Sequence, residues 1–330
     1  MSNVVGSGND DAPPHPLATV RDVLSEAQRR LQAAGCPSPG PDAMEMLCYV
    51  LGTSRTHLNM SDRLSVVDRV RFERLLMRRG ARVPLQHILG TAAFRHLVVR
   101  VGPGVFVPRP ETEMVGQAAI VALREWPQDE RIAVDLCSGT GILALSLATE
   151  IRGVVAHAVE VDPIAASWTR LNIDDHRDVW LGKSSTVELH VADAGTCADP
   201  GGALANLAGR VAVVVCNPPY IPEGAVPRDP EVREHDPSLA LFGGPDGLRE
   251  VRRIMVTAAI LLRPGGRLVI EHGDEQGDLE KGVPAVIMGH MADHEMSLLT
   301  PTPEGQPLWR DVSDHRDLTR RPRYTIAVRT

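Results

Sequence analysis

Val211-Ala-Val-Val-Val-Cys216-Asn217-Pro218-Pro219-Tyr220 is the stretch that decides the fold. Val211 to Val215 are small or β-favouring apolar residues in an unbroken run, the pattern of a buried parallel strand. The run then enters Asn-Pro-Pro-Tyr. Each proline fixes φ and lacks an N–H, so this strand end offers only acceptors. Pro218 also pushes Asn217 out of the helical region. The result is a rigid turn at the carboxyl end of a strand, where open α/β sheets bind their ligands. Asn217 supplies an amide there, two carbonyls sit beside it, and Tyr220 supplies a flat ring. Such a cluster suits a planar NH2 group, with acceptors for its two protons and a face to stack on. Taken alone, the tetrapeptide also fits a plain Asn-Pro turn after a core strand.

A second strand end lies upstream. Ile132-Ala-Val134-Asp135-Leu136-Cys137-Ser138-Gly139-Thr140-Gly141 reads as a buried strand, a glycine turn and a helix start. Glycine permits positive φ and close backbone approach to a ligand. The helix from Ile142 points its N-terminus at that ligand. The turn is not G-x-G-x-x-G, which disfavours a nicotinamide dinucleotide. The next strand, Val154 to Val161, carries Glu160 about 20 residues beyond the loop, where a carboxylate can accept both hydroxyls of a ribose. Glu160 read alone is a surface acid, and Asp162, two residues on, competes for the same role. A third strand, Val187 to Val191, runs into Ala192-Asp193-Ala194.

The chain has 330 residues, enough for one large domain or two. With 43% hydrophobic and 3% aromatic residues, its core must be mainly aliphatic. A net charge of −7 argues against broad nucleic-acid binding, which usually needs a basic face. No apolar run approaches the roughly 18 residues of a membrane span. Residues 1–16 are polar, lack the apolar core of a signal peptide, and read as a disordered tail. Cys36, Cys48, Cys137, Cys197 and Cys216 form no C-x-x-C pair and fit reduced thiols in a cytosol. No metal cluster is visible in the spacing. Lys183 and Lys281 are the only lysines.

Residues 17–90 read as a small helical bundle. Thr19-Val-Arg-Asp22 has the shape of a capping box, followed by Val20, Val23, Leu24, Ala27 and Leu31 at helical spacing. Gly35 and Pro37 stop that helix. Pro41-Asp42 opens a second, with Ala43, Met46, Leu47 and Val50 on one face and Gly52 past its end. Ser65-Val-Val-Asp68 reads as another capping box, leading a third helix that runs to Gly80, with Val67, Val70 and Leu75 expected inward. The segment holds 11 Arg against 7 acidic residues, a surplus of +4 in an acidic protein. That surplus fits an ordinary solvated face or a docking surface for a macromolecular partner.

Residues 91–110 form a strand-rich linker, and 111–330 the main domain. Pro84-Leu85-Gln86-His87-Ile88-Leu89-Gly90, the turn Gly102-Pro103-Gly104 and Pro108-Arg109-Pro110-Glu111-Thr112-Glu113, followed by Asn-Pro-Pro-Tyr, resemble the HemK/PrmC protein-glutamine N5-methyltransferases. Asp236-Pro237-Ser238-Leu239-Ala240-Leu241-Phe242-Gly243-Gly244 matches the family segment that follows. Asp135 to Gly141 is similar to the D-x-x-x-G-x-G loop of S-adenosylmethionine enzymes.

Alternating strands and helices from Glu111 onward mean a doubly wound α/β sheet. The resemblance implies the seven-stranded, Rossmann-like class I methyltransferase order, with one antiparallel strand near the C-terminus. A strand over 267–271 after Pro264-Gly265-Gly266 and a terminal strand over 323–329 are expected within it.

The resemblance implies S-adenosyl-L-methionine as cofactor, held by Asp135, Cys137, Ser138, Gly139, Thr140, Gly141, Glu160, Asp193, Ala194 and Asn217. It implies Asn217, Pro218, Pro219 and Tyr220 as catalytic residues and no metal. The implied substrate is the glutamine of the Gly-Gly-Gln loop in class 1 peptide release factors, met in the cytoplasm without direct nucleic-acid or membrane contact. The chain departs from the family at Cys137, where glycine is frequent, and at Ala194, where an aromatic stands near the adenine. The tract 174–185 looks like a loop of this protein's own.

Two rivals remain at this stage. An adenine-N6 DNA methyltransferase uses the same Asn-Pro-Pro-aromatic grip, but must hold DNA and flip a base. A non-catalytic cofactor-binding module would not need an intact Asn-Pro-Pro-Tyr.

Overall fold

The computed structural model describes residues 18–289 and 307–330, so the expected tail over 1–16 lies outside the described residues. The chain divides into two compact units, one ending at Leu89 and the other beginning at Gly90.

The first unit holds α1 (Val20–Ala33), α2 (Pro39–Leu51), α3 (Val66–Gly80) and α4 (Leu85–Leu89). The capping box at α1 is present, with the Thr19 hydroxyl accepting from Asp22 N and the Asp22 carboxylate accepting from Thr19 N. α2 starts two residues earlier than the Pro41-Asp42 signal suggested. Pro39 sits in its first turn, where a missing N–H costs nothing. Gly52 closes α2 with φ +60°, the left-handed conformation that its missing Cβ permits. The inward face of α3 differs from expectation. Val67 and Val70 are exposed, while Phe72, Leu76 and Arg79 are buried and Leu75 only partly so. The aromatic ring and the Arg79–Asp42 ion pair, 2.7 Å long, decide which face turns inward.

The second unit opens with the hairpin β1 (Thr91–Phe94) and β2 (Leu97–Arg100), followed by α5 (Thr112–Arg124). The sheet then builds through β3 (Ile132–Leu136), α6 (Ile142–Glu150), β4 (Val155–Glu160), α7 (Pro163–Asp175), α8 (Arg177–Leu181) and β5 (Thr186–Val191). After β6 (Val211–Cys216) come α9 (Pro230–His235), α10 (Arg249–Leu261), β7 (Leu262–Glu271), α11 (Val283–Ile287), β8 (Trp309–Arg316) and β9 (Pro322–Arg329). The seven-stranded sheet runs β5-β4-β3-β6-β7-β9-β8. β9 is antiparallel to both neighbours, and the other pairings are parallel. The expected architecture is therefore the observed one.

Every residue of β6 is buried, as a central parallel strand requires. One apolar cluster on the sheet includes Ile120, Leu143, Leu147 and Val213, and a second includes Val214, Ile254, Met255 and Leu268. Two details correct the sequence expectation. The tract 174–185 is not a loop: α7 reaches Asp175, and α8 forms because Trp180 is buried and donates its Nε1–H to Ile173 O at 3.1 Å. β7 begins at Leu262 rather than Arg267, with Pro264-Gly265-Gly266 bulged out between the pairs Val211–Leu262 and Val213–Arg267. A bulge accommodates proline inside a ladder that it cannot join as a donor.

Candidate active site

Strands β3, β4, β5 and β6 deliver their carboxyl ends to one cavity of about 650 Å³. The glycine turn after β3 is rigid. Gly141 N donates to Ser138 O at 2.8 Å, Thr169 Oγ1 donates to Gly139 O at 2.7 Å, and Asn172 Nδ2 donates to Thr140 O at 3.0 Å. Thr169 and Asn172 of α7 thus occupy the loop carbonyls, a role that sequence reading did not assign. Cys137 takes φ +61°, so the turn keeps a left-handed step there with a small side chain. Gly139 has φ +56° and open space within 4 Å of where a Cβ would stand. Ser138 Oγ is buried without a hydrogen-bond partner.

Glu160 ends β4 at the cavity wall. Its Oε2 accepts from Gly139 N at 2.8 Å and its Oε1 from Asp162 N at 2.9 Å. Each oxygen keeps capacity for a further donor. Burial raises its pKa against the pull of those N–H groups. Asp162 instead caps α7, its Oδ1 accepting from Ile164 N at 2.8 Å. Both acids line the cavity, and Asp162 also caps a helix.

Of the other expected cofactor residues, Cys137, Ser138, Gly139, Thr140, Asp193, Ala194 and Asn217 line the cavity. Asp135 and Gly141 do not. Asp135 is buried beneath the loop, where its Oδ2 accepts from Ala144 N at 3.0 Å and caps the first turn of α6. Burial pushes its pKa up to about 8. Gly141 faces α7, and an added Cβ would stand 2.8 Å from Thr169 Cγ2. Asp193 is engaged by Arg253 at 2.6 Å and by Gly195 N at 2.7 Å. Arg253 lines the cavity together with Asp193 and Ala194.

Asn217, Pro219 and Tyr220 line the far side, with Pro218 buried behind them. Asn217 Nδ2 donates to Thr112 Oγ1 at 3.4 Å, which turns its Oδ1 away from that hydroxyl. Thr112 belongs to the Pro-Arg-Pro-Glu-Thr-Glu segment, whose role at the site was not foreseen. Beside it, Glu271 is 1% exposed at the end of β7. Burial raises it to about 7, against the Thr112 hydroxyl and the Arg323 guanidinium. Gln276 fixes the turn by donating to Tyr220 O at 3.1 Å, and burial pushes the Tyr220 hydroxyl above its ordinary pKa. Arg109 of the same segment pairs with Asp236 at 2.6 Å and lies 4.8 Å over the Phe106 ring. Both acid and base stood in motifs already visible in the sequence, but nothing there said that they meet.

A sheet of this order with its strand ends gathered on such a cavity is the architecture of a class I methyltransferase. The sequence profile of the PrmC N-terminal domain matches residues 22–90. The release factor glutamine methyltransferase of Streptomyces coelicolor is 42% identical over 311 residues, covering 92% of this chain and 96% of that protein. Its namesake in Bifidobacterium longum is 40% identical over 265 residues, 78% of this chain and 89% of that one. The one from Mycolicibacterium smegmatis is 40% identical over 313 residues, 95% and 99% respectively. The chain belongs to the release factor glutamine methyltransferase family.

Proposed function

We propose that this protein transfers a methyl group from S-adenosyl-L-methionine to the side-chain nitrogen of the glutamine in the Gly-Gly-Gln loop of class 1 peptide release factors, in the cytoplasm. The observation that carries this is one cavity bounded on one side by Gly139 and Glu160 and on the other by Asn217 and Tyr220. The donor side fits the cofactor. Open space over Gly139 and the orphaned Ser138 hydroxyl leave room and polar capacity, and Glu160 keeps acceptor capacity for two hydroxyls.

S-adenosylmethionine supplies a methyl already activated on a sulfonium. The glutamine nitrogen is a poor nucleophile because its lone pair is delocalised into the carbonyl, so the protein's task is placement and polarisation. Asn217 Oδ1 accepts one N–H of the substrate amide and the Pro218 carbonyl the other. Accepting both favours a pyramidal nitrogen with its lone pair aimed at the methyl. Tyr220 packs on the amide plane. No strong general base is required, because the nitrogen becomes acidic as its new bond forms and gives up one proton to solvent.

Residues 17–90 are proposed to dock the release factor, which the Arg surplus and the match to the PrmC N-terminal domain support. No described helix is long and apolar enough to cross a membrane. The test is mass spectrometry of a release factor incubated with the enzyme and labelled S-adenosylmethionine. A single methyl on the Gly-Gly-Gln glutamine is expected. Label on DNA adenine with an unmodified factor would replace this function with the DNA reading.

A further inference from the structure

His157 on β4 and Glu188 and His190 on the edge strand β5 share one face of the sheet, opposite Val187 and Leu189, which pack with the helices. Partners in a parallel ladder project to the same side, so His157 meets Glu188 directly and His190 diagonally. His157 Nδ1 lies 3.0 Å from His190 Nε2 and 3.6 Å from Glu188 Oε2, and His190 Nε2 lies 3.9 Å from that oxygen.

We infer that these three side chains form a binding site for a divalent transition-metal cation of the zinc type, separate from the methyl-transfer cavity. The triangle has the size such an ion needs: a point equidistant from the three donor atoms lies about 2 Å from each, against zinc bonds of about 2.0–2.2 Å. Two imidazoles and one carboxylate suit zinc and leave a fourth position for water. That position opens outward, because the Glu188 side chain is 59% exposed, while His157 is 8% exposed. Burial lowers the pKa of both histidines, which favours the neutral rings that ligate a metal. Without the ion, the cluster reduces to a hydrogen bond between two rings tilted by 38°. That bond does not account for the carboxylate drawn to the same point.

Such an ion would pin the edge strand to its neighbour. His157 and His190 each stand three positions before a cavity residue, Glu160 and Asp193. Metal loading would therefore stiffen the wall of the methyl-transfer site without entering it.

The test uses cobalt(II) on the full-length protein, because tetrahedral cobalt shows visible absorption that zinc abolishes on displacement. One equivalent of cobalt is expected to give such bands, and zinc to remove them. His190→Gln and Glu188→Gln alter groups at the sheet edge that the core does not need, and circular dichroism confirms their folding. Each should weaken cobalt binding by more than the roughly 10–100-fold that loss of an outer-shell partner costs. Absence of cobalt bands in the wild-type protein, or cobalt binding as tight as wild type in both variants, would overturn the assignment and leave the pair as a histidine–histidine hydrogen bond.

Discussion

The side-chain amide of Asn217 donates to the hydroxyl of Thr112 at 3.4 Å, joining segments 105 residues apart in the chain. The contact spends the donor end of the amide on the protein and leaves its oxygen for a ligand. Asn217→Ala should lower kcat by about 10²–10³-fold, the usual cost of one preorganised hydrogen-bonding group at a reacting centre. Asn217→Asp should fail nearly as badly, because it puts a negative charge beside the reacting amide and the sulfonium as well as losing the donor that Thr112 accepts. Thr112→Val keeps the shape and removes the acceptor, so kcat should fall about tenfold, the worth of one hydrogen bond, with cofactor affinity unchanged. Steady-state kinetics and calorimetry measure both quantities. An Asn217→Asp enzyme near wild-type activity would show that only the oxygen matters.

Glu160 and Asp162 separate by readout. Glu160→Ala should weaken cofactor binding about 10–100-fold, the range for hydrogen bonds to a charged group. Asp162→Ala should leave binding intact and cost about 1 kcal/mol of stability, because its carboxylate caps α7. Calorimetric titration paired with denaturant unfolding distinguishes them. The opposite pattern would move the ribose contact to Asp162.

The two loop glycines should also part company. Gly139→Ala puts a methyl into open space, so it should cost about 1 kcal/mol for its positive φ while reducing cofactor affinity at least about tenfold. Gly141→Ala combines φ +78° with a Cβ 2.8 Å from Thr169 Cγ2, a side chain already held by Gly139 O. Its stability loss should exceed that of Gly139→Ala, by about 1–3 kcal/mol for overpacking. Equal stability losses in the two variants would mean that Thr169 yields.

Glu271 makes stability pH-dependent. Its pKa rises from 4.5 to about 7 on folding, through burial. The folded state therefore holds the proton more tightly than the unfolded chain does. The stability from this group is fully present below pH 4.5 and is lost as pH rises through about 7. Glu271→Gln should remove that loss. Its stability relative to wild type should grow from about pH 5 to about pH 8, by at most about 3 kcal/mol. Thermal melts at the two pH values check it, and a difference that does not widen would show that Glu271 titrates as an ordinary carboxyl.

The sequence by itself determined what depends on neighbours in the chain. The unbroken apolar run of Val211 to Val215, the glycine turn after Leu136 and the capping box at Thr19 are local devices, and each formed where its residues said. At Ser65 only the N-cap half of the box forms: the Ser65 hydroxyl accepts from Asp68 N and donates to the Asp68 carboxylate. The sheet order came with the family resemblance, and the structure bears it out. What only the tertiary structure decided is which side chains meet and which faces turn inward. Asp135 and Glu160 are acids in the last two positions of core strands, yet packing sends one beneath the loop to cap a helix and the other to the cavity wall. Val67 and Val70 have the right spacing for a buried stripe, but Phe72 fills more volume and takes the inward face. Thr112 reaches Asn217, Arg109 reaches Asp236, and His157 reaches Glu188 and His190 through strand pairing and loop closure between distant segments. Pair geometry of that kind is a property of the packed sheet, because sequence separation carries no information about distance once the chain has folded back on itself.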